Sequence, residues 1–202
     1  MDRLDQLLTV ADPLLSRVDQ LLTSVGAPAG HDVWPELRRV RLLPGDAVRA
    51  VAALHPAALA DAVPELRAQA RVCADTADAL PLATTWTGHA AEAYEATRRR
   101  TAEQLNVGPD SLSRRMTATA DLAGALHDWM THTRAALAYA LADSLNSAEA
   151  LTVTVSSGFP QPAETRAAAA IATHVLRTIA DSYDRAENLL DDSSSLTTPQ
   201  ST

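Results

Sequence analysis

The segment His127-Asp-Trp-Met-Thr-His132 comes closest in this chain to a helical metal-binding pattern. Asp128 and His132 are four residues apart, so on a helix their side chains share one face and offer two ligands to an ion. A protein zinc site takes three or four such ligands, and no firm third candidate accompanies this pair. The pattern therefore predicts solvated polar residues beside Trp129, and we expect no bound metal and no other cofactor.

The motifs that mark common enzymes are also missing from the sequence. It has no Gly-rich phosphate loop, no His-Glu-x-x-His pair and no Glu-x-x-His pair. No Ser-His-Asp combination lies in a strand-turn-helix setting that would expose a nucleophile. Cys73 is the one cysteine, which excludes an internal disulfide and a multi-cysteine metal site. We expect no catalytic residues and no small-molecule substrate.

The composition favours packed helices over sheets. Apolar residues make up 47% of the chain but aromatic residues only 3%, which suits Ala-rich helices and lacks the β-branched and aromatic runs of strands. Residues 151–155 alternate like a strand without a partner, and we interpret them as a helix end or connector. The predicted fold is an all-α, elongated bundle of about four main helices over residues 1–190. A polar, disordered tail is predicted at residues 191–202.

The first predicted helix contains an internal repeat. The segment Arg3-Leu-Asp-Gln-Leu-Leu-Thr9 returns as Arg17-Val-Asp-Gln-Leu-Leu-Thr23, two heptads later. This spacing places the apolar residues of both copies on one helix face, with Pro13 as a candidate kink between them. The residues on that face are Leu4, Leu8, Val18 and Leu22. Further along the chain, the longest regular apolar pattern predicts one helix from residue 110 to about 150.

The charge pattern bears on nucleic-acid and membrane binding. The formal net charge is −8, and all 17 basic residues are Arg; this acidic balance argues against general binding to a phosphate backbone. Arg38, Arg39 and Arg41 precede a Pro-Gly turn, and a DNA-binding regulator built on them is kept as a hypothesis. The first ten residues lack the basic and apolar regions of a signal peptide. No apolar stretch approaches the roughly 18 residues of a membrane span.

Two short motifs remain after these exclusions. Trp86-Thr-Gly88 lies between two Ala-rich segments that favour helices, and Tyr183-Asp-Arg-Ala-Glu187 lies near the end of the last predicted helix. Tyr183 and Glu187 are four residues apart and so share a helix face. Together the two motifs resemble the WXG superfamily, the small helical-hairpin substrates of type VII (ESX) secretion.

The resemblance implies a function and a set of site residues. In that superfamily a Trp-x-Gly turn joins two helices, and a Tyr-x-x-x-Asp/Glu motif acts as an export signal; Trp86 and Gly88 match the turn, and Tyr183 and Glu187 match the signal. Residues 56–190 would be the WXG-like region and residues 1–55 an N-terminal extension. The implied partner is the ATPase of a type VII system, with a second WXG-like protein or a toxin helix as a further candidate. The protein would be non-enzymatic, made in the cytoplasm and secreted without a cleaved signal peptide.

The residue chemistry at these motifs suits the same roles. Trp86 can fill the end of an Ala-lined bundle, and Gly88 allows the positive φ that a tight connection requires. Tyr183 offers an amphipathic contact and Glu187 a charge to a receptor surface. The simpler interpretation is that Trp86 only packs and that Tyr183 and Glu187 form only a local pair.

A second functional hypothesis belongs to another class. The apolar stripe of the N-terminal repeat could receive a partner helix. The protein would then be a cytoplasmic adaptor or chaperone that binds the helical leader of a secreted toxin and is not itself exported.

Overall fold

The secondary structure is helical, as the composition predicts. A computed structural model describes residues 2–155 and 159–197, and no β-strand occurs among them. The helices are α1 (Arg3–Ser24), α2 (Val33–Val40), α3 (Pro44–Ala52), α4 (Ala57–Ala60), α5 (Ala62–Asp78), α6 (His89–Ala102), α7 (Leu112–Leu145), α8 (Ala148–Val155) and α9 (Pro162–Thr197). A π-helical turn (Glu103–Val107) follows α6 directly. The all-α prediction is confirmed, although shorter helices accompany the long ones.

Several helix boundaries differ from the predicted ones. The helix expected over residues 110–150 divides, because the Ser147 hydroxyl accepts the N–H of Ala150 at 3.1 Å and starts α8 as a separate helix. Residues 151–155 form the end of α8. α1 continues through Pro13. α9 extends to Thr197, into the segment predicted as a disordered tail, and residues 198–202 lie outside the described residues.

The chain divides into two compact units, and the first boundary lies at the end of the predicted N-terminal extension. Unit 1 takes in the chain up to His55 and again from Asp128 onward, and unit 2 comprises residues 56–127. α7 contributes its first half to unit 2 and the remainder to unit 1. The division describes which residues contact one another, and a single domain can contain two such units. The single-domain prediction over residues 1–190 stays a prediction.

The large apolar side chains of the buried core belong to unit 1. They come from α1, α2, α3, α8, α9 and the part of α7 that follows Asp128. The core members include Leu4, Leu15, Val18, Leu21, Val33, Val48, Val51, Leu137, Leu141, Val153, Ile171, Val175, Leu176 and Ile179. Their burial against one another supplies the main hydrophobic stabilisation of this unit.

The apolar stripe of the N-terminal repeat lies inside this core. Leu4, Val18 and Leu22 are buried and Leu8 packs against them, so the predicted shared face is confirmed. Because the stripe is covered by the chain's own helices, it is not an exposed surface for a partner helix.

The charged residues of the repeat connect α1 to other helices. The Arg17 guanidinium donates from Nε and Nη2 to one carboxylate oxygen of Glu164, at 3.1 and 2.6 Å, and Glu164 is 1% exposed in the first turn of α9. The Asp19 carboxylate accepts the N–H of Gly45 at the start of α3 at 3.1 Å. Burial raises the pKa of Asp19, while this N–H favours its ionised form. The second copy of the repeat thus places an Arg and an Asp where α1 meets other helices.

Arg134 on α7 joins two helix ends in unit 1. Its guanidinium donates to Asp2 and Asp5 at the N-terminus of α1, each at 2.7 Å. It also donates to the carbonyl oxygens of Ala52 and, at 3.1 Å, Leu54, where α3 ends. Helix C-termini leave carbonyl groups without partners and favour a positive charge. With Arg134 only 6% exposed, these acceptors keep its charge paired away from water.

Unit 2 has a core of small residues. The buried side chains in it are Ala and Ser: Ala70 and Ala77 on α5, Ala120 and Ala123 on α7, together with Ser111 and Ser113. Polar contacts supplement this packing. The Arg67 guanidinium donates to Asp121 at 2.9 Å, and Nδ1 of His127 lies 2.9 Å from the Pro56 carbonyl oxygen.

Replacing Arg134 should destabilise unit 1. We expect Arg134→Ala to lower the free energy of unfolding by about 2–4 kcal/mol, because two carboxylates and the end of α3 lose their charged donor. Urea denaturation followed by circular dichroism measures the change. Arg38→Ala, which removes an exposed Arg of α2, serves as the control and should leave the midpoint unchanged. Equal midpoints for both variants and the wild type would contradict this role.

The same interaction predicts a pH dependence. Hydrogen bonding to Arg134 lowers the pKa of Asp2 to about 2. The pKa of Asp5 is also lowered, first by the backbone N–H of Asp2 and then by Arg134. A carboxyl group whose pKa is depressed by folding contributes stability above its unfolded pKa, and loses that contribution as the pH falls to its folded pKa. The stability difference between the wild type and Arg134→Ala should therefore shrink as the pH falls from about 4 to about 2. A difference that is constant across this range would show that the pairing contributes nothing.

Candidate functional site

Tyr183 and Glu187 lie on one helix, α9, as the sequence predicts, and they belong to unit 1. Tyr183 is half-buried and packs against the core of this unit, and Glu187, one turn further along α9, is exposed. Their spacing on a continuous helix places them on one face. The arrangement leaves a carboxylate and part of a phenol ring open to a partner.

Two helices hold the turn of α9 that contains Tyr183. On α7, the Trp129 indole donates to the Ser182 carbonyl oxygen at 2.7 Å, and the hydroxyl groups of Thr133 and Ser182 are hydrogen-bonded to each other. From α2, the Arg39 guanidinium donates to the Asp184 carboxylate at 2.7 Å. Asp184 lies between the two residues of the motif.

The contact between α2 and α9 is an ionic network around one buried carboxylate. The Glu36 side chain, 8% exposed, accepts from Arg39 at 2.9 Å and from Arg177 of α9 at 3.2 Å. Arg39 reaches further, to Asp184 and, at 3.4 Å, to Asp181. This network was not predicted from the sequence, where Arg39 and Asp184 are 145 positions apart and carry no local signature of pairing.

This network also bears on the DNA-binding hypothesis. Arg39, one of its three arginines, is engaged by carboxylates of both α2 and α9. A phosphate group would have to compete with them, in a chain whose net charge is −8. This arrangement favours a structural role for Arg39.

The structure places Trp86 in a link between two helices. The link has no regular secondary structure and runs from the end of α5 at Asp78 to the start of α6 at His89, and the predicted tight Trp-x-Gly turn is not shown there. Trp86 lies in this link and is 43% exposed, so it does not fill the end of a bundle. Its ring instead contacts that of Tyr94 on α6, with 5.5 Å between centroids, and the Tyr94 hydroxyl donates to the Pro81 carbonyl oxygen at 2.8 Å. The link is thereby tied to α6.

Gly88 has the backbone conformation that the sequence suggested. It precedes the first residue of α6 with φ +93° and ψ −173°, a region that residues with a side chain essentially avoid. The positive φ is confirmed, although it serves the start of α6 and not a tight hairpin. Trp86 and Gly88 belong to unit 2, whereas Tyr183 and Glu187 belong to unit 1.

Candidate metal ligands are not grouped. Asp128 and His132 are both exposed on α7. Within residues 2–155 and 159–197, no group of three or more His, Cys, Asp or Glu side chains is placed to hold a metal ion.

Unit 1 contains a small cavity. Its volume is about 130 Å³, and its lining comprises Asp143, Ser144, Ser147, Glu149, Ala170, Ile171 and His174. Cavities that hold substrates or cofactors usually measure about 300–1,000 Å³. The cavity falls below that range and defines no substrate class.

The described helices include none with both the length and the apolarity that a membrane span requires. Comparison of the chain with known protein families, with curated proteins and with solved structures gave no match.

The conformation of Gly88 predicts the effect of a single methyl group. Gly88→Ala should destabilise the start of α6 by about 1–3 kcal/mol, because a Cβ is strained at this φ even though no atom lies within 4 Å of it. Gly124→Ala is the matched control: Gly124 is helical with open space around it, and Ala there should stabilise by about 0.5–1 kcal/mol. Urea denaturation of the two variants compares them. Equal effects of the two changes would contradict the conformational argument.

Proposed function

We propose that this chain is a non-enzymatic helical protein that is made in the cytoplasm and exported by a type VII (ESX) secretion machine. Tyr183 and Glu187 act as its export signal and dock on the secretion ATPase. The observation that carries the proposal is their presentation on one face of α9, with Glu187 exposed and Tyr183 supported by the core. An aromatic anchor beside an accessible charge suits recognition by a protein surface.

The Trp86 region supports the same proposal as a second recognition element. Trp86 and Tyr94 form a partly exposed aromatic pair, and Gly88 sets the chain direction into α6. Tryptophan and tyrosine are enriched among residues that dominate binding energies at interfaces. A second WXG-like protein or a toxin helix is the candidate partner for this surface.

The adaptor alternative has less support than export. Its proposed binding stripe consists of the apolar residues of the N-terminal repeat, and Leu4, Val18 and Leu22 are buried in unit 1. A partner helix could occupy that stripe only by displacing the chain's own helices.

Export in the native host tests the proposal. Epitope-tagged protein should appear in the culture filtrate when the secretion ATPase is intact and remain in the cells when it is deleted, with a cytosolic lysis marker as the control. We expect Tyr183→Ala and Glu187→Ala each to reduce export at least about tenfold, because the receptor loses its aromatic or charged contact. ATPase-independent release of the wild type, or unchanged export of both variants, would refute the proposal.

Matched variants separate recognition from folding. Glu187 is exposed, so Glu187→Ala should leave thermal stability unchanged, whereas Tyr183 packs against the core and its replacement has a structural cost. Tyr139→Ala, at a tyrosine of α7 that is 63% exposed, and Glu149→Ala, at an exposed residue of α8, are the controls. Both controls should be exported like the wild type.

A further inference from the structure

We propose that Arg39 and Asp184 are positioning residues for the export signal: their ion pair keeps the turn of α9 that carries Tyr183 helical, so that the receptor meets a preformed face. This inference rests on the proposed function of Tyr183 and Glu187. It adds that α2, which contains neither residue, helps to hold the signal in the conformation that the receptor binds.

The ion pair of Arg39 and Asp184 lies within the motif. Asp184 directly follows Tyr183 and precedes Glu187 by less than one helical turn. Its carboxylate is 2.7 Å from Nη2 of Arg39, and Asp181, one turn earlier, is 3.4 Å from the same nitrogen. Arg39 therefore spans the turn of α9 that contains Tyr183 and holds it against α2.

Arg39 is itself held in place by Glu36. Its Nη1 donates to Glu36 at 2.9 Å, and Glu36 is buried and also accepts from Arg177. A guanidinium fixed on one side by a buried carboxylate loses less rotational freedom when it binds a second carboxylate. An isolated surface ion pair contributes little, but this one is part of a network with a buried centre.

The support of α9 by other helices changes along its length. Up to Ser182 the helix is held by apolar burial and by the Trp129 indole. Over residues 184–191 its side chains are mostly exposed, and the sequence after Tyr183 contains Asp, Asn and Ser, which favour helix interiors weakly. Helical segments with little tertiary support are marginally stable in water. The Arg39 contact therefore lies at the point along α9 where packing against the core ends and exposed side chains begin.

The helical order of this turn affects how a receptor binds the motif. Tyr183 and Glu187 face the same way only while this turn is helical. A receptor that binds both must supply the ordering free energy if the turn is frayed, and it does not if the turn is already helical. Loss of the ion pair should therefore weaken export even though both motif residues remain.

The test is a double-mutant cycle with Arg39→Ala, Asp184→Ala and the double variant in the full chain. We expect each single change to reduce export about fivefold and to accelerate amide hydrogen exchange in residues 184–190. The double variant should be no worse than the more affected single variant, because both changes remove the same contact. Arg39→Lys retains the charge and should be exported at an intermediate level.

Controls separate this inference from the proposed function and from general destabilisation. Asp184 is 64% exposed at its side chain, so Asp184→Ala should leave the melting temperature near that of the wild type. Asp128→Ala, an exposed Asp of α7 in the same unit, should change neither export nor exchange.

The outcomes are distinct. Loss of export in Glu187→Ala with normal export of Asp184→Ala and Arg39→Ala overturns the positioning role and leaves the signal in place. Reduced export without faster exchange in residues 184–190 also overturns it, since Arg39 and Asp184 would then be direct contacts of the receptor. Normal export of both Glu187→Ala and Tyr183→Ala overturns the proposed function and this inference with it.

Discussion

Arg134 brings a permanent positive charge into the interior of unit 1, where the beginning of α1 and the end of α3 meet α7. A guanidinium in such a place is tolerated only if its donors find acceptors, and two carboxylates and the carbonyl groups at the end of α3 supply them. The helix end is stabilised as well, because its last carbonyl groups have no partner within the helix. The packing of the apolar core around α1 depends on these polar ends being satisfied.

Charged side chains also meet helix starts at two other contacts of α1 in unit 1. Asp19 accepts the N–H of Gly45 at the start of α3, and Glu164 in the first turn of α9 pairs with Arg17. Asp19 and Arg17 both lie in the second copy of the N-terminal repeat. The heptad spacing buries its leucines on one face and places its charged residues at the flanks of that face, so α1 provides both core and connectors.

Along α9 the source of stability changes from apolar to ionic. Ile171, Val175 and Ile179 are buried in the core, and the turn after them is held by hydrogen bonds and by Arg39. Segments of low local stability are where proteins place elements that must engage partners. Tyr183 and Glu187 lie at this transition. In the proposed function, their presentation to a receptor would therefore depend on α2 as well as on α9.

Interactions between residues close in sequence determine several features of this protein. The composition and the apolar spacing determined that the chain is helical, that the repeat of α1 faces inward and that Tyr183 and Glu187 share a helix face, because each depends only on residues near one another in sequence. The need for a positive φ at Gly88 was local in the same sense. The tertiary structure alone decided that Arg39 pairs with Asp184, that Arg134 joins two helix ends and that Trp86 is exposed in a link instead of filling a bundle. These depend on which helices pack together, and a charged or aromatic residue carries no local mark of the distant partner that packing will bring to it.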